Sequence, residues 1–217
     1  MTDDDLKDAS DAMRAGDHAT ALAIFRRLAE QGDARAQDKL GALYESGTGV
    51  PKNHVEAAKW YRLAAEQGFP DAQNNLGVLY ENGHGVARDA VLAAAWYLKA
   101  AEQGDANAQH NLANRFQSGQ GVMQSYPEAI KWYRKAADQR HPMAQANLGV
   151  IYEFGHGVRK DFVQAQMWYM LSASLFRASD AKNRSLVVRN RDQLAAKMTD
   201  EQMAEARRRA REWRPAP

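Results

Sequence analysis

The chain has 217 residues, a formal net charge of +2 and 26% charged side chains. A balance so near neutral singles out neither nucleic acid nor a membrane surface as partner, and no apolar run approaches the roughly 18 residues of a membrane span. The absence of cysteine excludes disulfides, thiolate nucleophiles and thiolate metal ligands together.

The chain opens Met1-Thr2-Asp3-Asp4-Asp5, acidic and without an apolar stretch. That is not the pattern of a secretory signal. A cytoplasmic location is expected if Met1 is the native start, and the periplasm remains open if the native N-terminus has been trimmed. Residues 1–17 hold six Asp against two Lys/Arg. Ala21, Phe25, Ala29 and Gly32 then keep the spacing of Ala57, Tyr61, Ala65 and Gly68. Residues 1–32 therefore read as a degenerate helix pair, turned at Ala15-Gly16-Asp17, that caps an array.

From Asp33 the sequence repeats every 36 residues. Leu40-Gly41, Leu76-Gly77, Leu112-Ala113 and Leu148-Gly149 recur, followed by Tyr44, Tyr80, Phe116 and Tyr152. A Gly-x-Gly-Val loop comes next, beginning at Gly47, Gly83, Gly119 and Gly155, and Trp60-Tyr61, Trp96-Tyr97, Trp132-Tyr133 and Trp168-Tyr169 follow. The expected repeats are 33–68, 69–104, 105–140 and 141–177, with closing helices in 178–217.

Each repeat reads as two helices. Helix A of the second repeat should run from Pro70 to Asn82, with Ala72, Leu76 and Tyr80 on one face. Gly83 suits the left-handed residue after it. Asn53, Asp89, Ser125 and Asp161 are caps for helix B, and Asp33 and Asp105 for helix A. Pro70 and Pro142 fall at the first helical position, where the missing N–H is not needed. Arg140 alone breaks the series Gly32, Gly68, Gly104. All 15 glycines have such structural places, so none is left for a phosphate-cradling loop. After residue 177 a helix of about Asp180 to Met198 is expected. A capping box at Thr199 and Gln202 then begins a helix whose stripe Met203, Ala206, Ala210 and Trp213 should close the array.

The pattern Ala-x-x-x-Leu-Gly-x-x-Tyr-x-x-Gly-x-Gly-Val, then Ala-x-x-Trp-Tyr-x-x-Ala-Ala-x-x-Gly, resembles the Sel-one-like repeat family, bacterial relatives of tetratricopeptide repeats. The resemblance covers Asp33 to about Phe176. It implies an all-α, α/α solenoid: a right-handed superhelix of stacked helix–turn–helix repeats. It also implies an adaptor or scaffold that binds another protein or peptide. A cysteine-rich subgroup with disulfide-linked repeats is linked to β-lactam binding or hydrolysis. This chain has no cysteine, so that activity is not carried over.

The sequence carries few features of catalytic chemistry. No zinc, nucleophile-elbow or Walker motif occurs. Ser179-x-x-Lys182 lacks the companion elements of a serine nucleophile, and Ser179 is read as a helix cap. His84 and His156, two repeats apart in Gly-His-Gly loops, are read as solvated loop residues and not as a metal site. No catalytic residue, metal or cofactor is assigned. Residues 177–217 hold eleven Lys/Arg against six Asp/Glu. The run Arg207-Arg208-Arg209 with Arg211 is the alternative, nucleic-acid-binding feature. It is read instead as cations at a helix C-terminus, paired with Glu205 and Glu212. The opposite charge of the two ends raises head-to-tail association as a further expectation.

Residues that repeat hold the fold, and residues that vary on the same face are free for a partner. By the tetratricopeptide likeness, helix A lines the concave surface. The expected contact residues are Arg35, Asp38 and Ala42; Asp71, Asn74 and Val78; Asn107, His110 and Asn114; and Met143, Ala146, Val150 and Phe154. They grade from charged through polar to apolar, as an extended peptide or partner helix would need. Asn75, Asn111 and Asn147, with Lys39 in the same slot, repeat and are read as hydrogen bonders between helices. Only Asn114 suits a carboxylate clamp of the tetratricopeptide kind.

Overall fold

The computed structural model describes residues 3–176 and 180–215. Among them are twelve α-helices and no strand. They are α1 (Asp3–Ala15), α2 (His18–Glu30), α3 (Ala34–Ser46), α4 (His54–Glu66), α5 (Pro70–Asn82), α6 (Ala90–Glu102), α7 (Ala106–Ser118), α8 (Tyr126–Asp138), α9 (Pro142–Phe154), α10 (Phe162–Leu175), α11 (Ala181–Ala195) and α12 (Asp200–Glu212). The fold is an all-α solenoid. α3, α5, α7 and α9 are the A helices, and α4, α6, α8 and α10 the B helices.

Local signals set the helix ends. Asn53, Asp89, Ser125 and Asp161 each accept a backbone N–H at the start of a B helix, and Asp33 does so at α3. Pro70 and Pro142 lie in the first turn of their helices. His141, not marked by the sequence, caps α9 through its ring, with Nδ1 accepting from the Ala144 N–H at 3.1 Å. Thr199 and Gln202 form the expected capping box. The helix after residue 180 ends at Ala195, three residues short of the expected Met198.

The chain divides into two compact units, Met1–Asp105 and Ala106–Pro217. In the first, α1 packs on α2, α2 on α3, and so on in series to α6. Tyr61 and Tyr97 are fully buried, each against the glycine of its own A helix. A Cβ on Gly77 would sit 2.7 Å from the Tyr97 ring, which no methyl group tolerates without movement. The apolar layers run through Phe25, Leu28 and Leu40, and through Ala57, Leu76 and Leu79.

In the second unit α7 to α10 pack in the same order, and α12 packs on α10. Ala206 is buried there and Trp213 meets Trp168 edge-on at 5.8 Å. α11 also packs on α10 but buries only Val187 and Leu194. Arg140 takes the left-handed backbone of the glycines it replaces, with φ +62°.

Candidate functional site

Much of each A helix is committed to the fold. Gln37 and Gln73 donate through Nε2 to the Ala29 and Ala65 carbonyls, each at 3.1 Å, and Gln145 does so to Ala137 at 3.2 Å. The Oε1 atoms of Gln37, Gln73 and Gln109 accept in turn from Gln67 at 2.7 Å, Gln103 at 2.8 Å and Gln139 at 2.9 Å. The Tyr61, Tyr97 and Tyr169 hydroxyls donate to Glu45, Glu81 and Glu153 at 2.8, 2.7 and 2.9 Å. Burial and the neighbouring carboxylate both push the Tyr61 and Tyr169 hydroxyls far above the usual tyrosine range.

On the A helices of the first unit, Arg35 and Asp71 are exposed, Ala42 and Val78 half-buried, and Asp38 and Asn74 buried. Arg35 donates to Asp3 at 2.7 Å and to Asp33 at 3.2 Å. Asp38 accepts from Asn75 at 3.0 Å and from Lys39 at 3.1 Å. Burial raises the Asp38 carboxyl above its ordinary value despite Lys39 and Asn75. A cavity of about 460 Å³ opens between α1 and α3, lined by Met13, Phe25, Ala42 and Leu43, with Arg14 and Lys39 among its charged residues.

On the A helices of the second unit, Asn107 and Phe154 are exposed, His110, Asn114, Met143 and Val150 half-buried, and Ala146 buried. Asn147 Nδ2 donates to His110 Nε2 at 3.3 Å and to Asn114 Oδ1 at 3.2 Å. The Tyr133 hydroxyl shares its proton between Asn114 at 2.6 Å and Gln117 at 2.7 Å. The His110 ring stacks on His141 at 4.7 Å. Burial, then the neighbouring His141, lowers His110 to about 4, and burial lowers His141 as well. Asn75 and Asn147 thus bond between neighbouring A helices, as their recurrence implied. Phe154 remains 57% exposed and stacks on His156 at 5.9 Å.

The other sequence candidates have plain surroundings. His84 stacks on His54 at 4.6 Å and His156 on Tyr126 at 5.3 Å, so each loop histidine rests on the ring that starts the preceding B helix. Among the described residues no group of three or more His, Asp or Glu could share a metal ion. Ser179 lies outside the described residues. Arg208 pairs with Glu205 at 2.8 Å and Glu212 at 2.6 Å, and Arg209 with Glu205 at 2.7 Å. In the acidic N-terminal segment, Asp3 and Asp5 pair within the first unit, with Arg35 and Arg27. No helix among the described residues is long and apolar enough to cross a membrane.

The Sel1 repeat family profile matches residues 11–33, 34–69, 70–105, 106–141 and 142–175. The chain belongs to the Sel1 repeat family, whose members are in general scaffolds for protein–protein interaction. No curated protein matches the chain. A Sel1 repeat protein from Oxalobacter formigenes is 38% identical, with a TM-score of 0.74, over 80% of this chain and 69% of that one. A protective antigen present in uropathogenic Escherichia coli strains, displaying an SLR fold, is 33% identical with a TM-score of 0.53 over 89% of this chain. The match spans about half of that antigen, 48% of its length. A sel1 repeat protein from Klebsiella pneumoniae shares the fold at 24% identity and a TM-score of 0.56, over 86% of this chain and 98% of that one.

Proposed function

We propose that the chain binds a peptide or partner protein on its A-helix faces and catalyses no reaction. The observation that carries this reading is the division of labour along helix A. The repeating glutamines, glycines and asparagines are engaged inside the fold, while exposed Arg35, Asp71, Asn107 and Phe154 differ from repeat to repeat. A scaffold can vary such positions without touching its core. The cavity beside Ala42 supports the reading in the first unit, because an apolar side chain of a partner fits a hollow walled by Met13, Phe25 and Leu43. In the second unit Phe154, with Met143 and Val150 on the same helix, supplies apolar anchors.

The test is a pull-down with the wild type and two double variants, Met143→Glu/Phe154→Glu and Arg35→Glu/Asp71→Arg, read by mass spectrometry. Loss of the same partner from a folded variant supports the proposal, and an unchanged partner list overturns the placement. The enzymatic alternative has a separate test. Nitrocefin turnover by the purified chain that survives Ser179→Ala would refute the non-catalytic reading. The ion pairs of Arg208 and Arg209 argue against a nucleic-acid surface on α12. Salt-dependent retention on DNA that is lost on replacing Arg207 to Arg211 would argue for one.

A further inference from the structure

Two of the positions at which the second unit departs from the repeat line one cavity. Arg140 replaces the glycine of the earlier repeats and keeps its left-handed backbone. Leu175 occupies the slot of Gln67, Gln103 and Gln139. Those three glutamines donate to Gln37, Gln73 and Gln109. The next acceptor in the series, Gln145 Oε1, is fully buried and has no partner. Its orientation is settled, because Nε2 donates to the Ala137 carbonyl and a reversed amide would face oxygen with oxygen. Arg140, Gln145 and Leu175 border a partly open cavity of about 330 Å³, whose lining also includes Leu171, Arg211 and Trp213.

Among the described residues no carboxylate lines this cavity, and Arg140 and Arg211 have no side-chain hydrogen bond or ion pair. Arg214 also lies on the wall and donates to the Arg211 and Trp213 carbonyls. A non-glycine residue in left-handed backbone and an unmatched buried amide oxygen are both unfavourable. Strained features of this sort collect where a ligand is held.

We propose that this cavity binds the free carboxyl terminus of a peptide whose last residue is apolar. A terminal carboxylate and the N–H of its own residue are neighbours on one short unit. The carboxylate meets the Arg140 and Arg211 guanidiniums. The N–H donates to Gln145 Oε1, taking the place of the missing glutamine. The apolar side chain lies against Leu171, Leu175 and Trp213. Solvent does not reach Oε1 in this structure, so binding requires side chains at the cavity wall to move. A metal cation is repelled by the arginines, and an anion without an N–H leaves the oxygen unmatched. The site is separate from the A-helix faces and does not depend on their role.

The test is calorimetric titration of the full chain with acetyl-Ala-Ala-Leu and acetyl-Ala-Ala-Phe as free acids, against their C-terminal amides. The acids are expected to bind and the amides to bind at least tenfold more weakly. Leu175→Gln supplies the missing donor from within, and is expected to raise Tm and weaken the acids at least tenfold. Arg140→Gly is expected to weaken them as much without lowering Tm, and it carries the test should Leu175→Gln unfold. Equal binding of acid and amide, no binding of either acid up to millimolar concentration, or wild-type affinity in both folded variants overturns the proposal.

Discussion

The A helices of the two units solve one structural problem with opposite chemistry. In the first unit Asn75 bonds to a buried carboxylate, Asp38; in the second Asn147 bonds to a half-buried imidazole, His110. The Tyr–Glu bond of three repeats becomes Tyr133 with Asn114 and Gln117 in the remaining one. The comparison teaches that, where an asparagine of the next A helix reaches across, either a carboxylate or an imidazole serves as its acceptor. The residue chosen then determines how the unit responds to pH.

That response is the largest effect expected. His110 is held neutral well below the ordinary histidine value, so the unfolded chain takes up its proton first as pH falls. Its contribution is complete above about pH 6.5 and is lost on the way down to about pH 4, on the order of 3 kcal/mol. The lowered His141 acts in the same direction. Asp38 is shifted upward, so the folded chain takes up its proton first and that group gains stability as pH falls. Hydrogen exchange between pH 7 and pH 4 should show α7 to α9 loosening before α3 to α5. His110→Asn should remove most of the difference, and a unit that loosens as before would break the comparison.

Next in size is the contact of helix A glycine with helix B tyrosine. Gly77→Ala drives a methyl into the Tyr97 ring, and urea unfolding should record a loss of about 1–2 kcal/mol after the helix-propensity gain of alanine. Ala113, the natural residue at this slot in α7, carries that methyl already and is fully buried, as is Tyr133. Ala113→Gly should therefore give no relief and should lose about 1 kcal/mol of helix propensity. Asn75→Ala and Asn147→Ala remove the two seam bonds and should each cost about 1–2 kcal/mol. The former is the larger, because Asp38 is left buried with Lys39 alone. The smallest effect is a gain. Arg140→Gly relieves left-handed backbone and should stabilise by about 0.5–1 kcal/mol in the same measurement, the higher chain entropy of glycine offsetting the rest.

The candidate contact faces were legible in part. The period of 36 gave every slot an address, so Asn75 and Asn147 could be read as bonds between helices before any distance was known. Burial could not be read in that way. Asp38 and Arg35 lie three residues apart in α3, and one is buried while the other is exposed. Their difference depends on how close the next helix comes. The stacking of His110 on His141 joins residues 31 positions apart, with no motif to announce it. One signal was available and pointed further than expected: Arg140 breaks the glycine series, and the cavity beside it is where Gln145 lacks its partner.

The sequence by itself determined the all-α solenoid of Sel1 repeats, because caps, glycines and the apolar stripe act within one or two turns and recur in register. Only the tertiary structure decided which polar groups are satisfied. A hydrogen bond needs a second group brought to about 3 Å by a different helix. Gln37, Gln73, Gln109 and Gln145 hold one slot of the repeat, each after an alanine; Leu175 marks a change in the last repeat, but only packing shows that Gln145 is left with an oxygen that nothing meets.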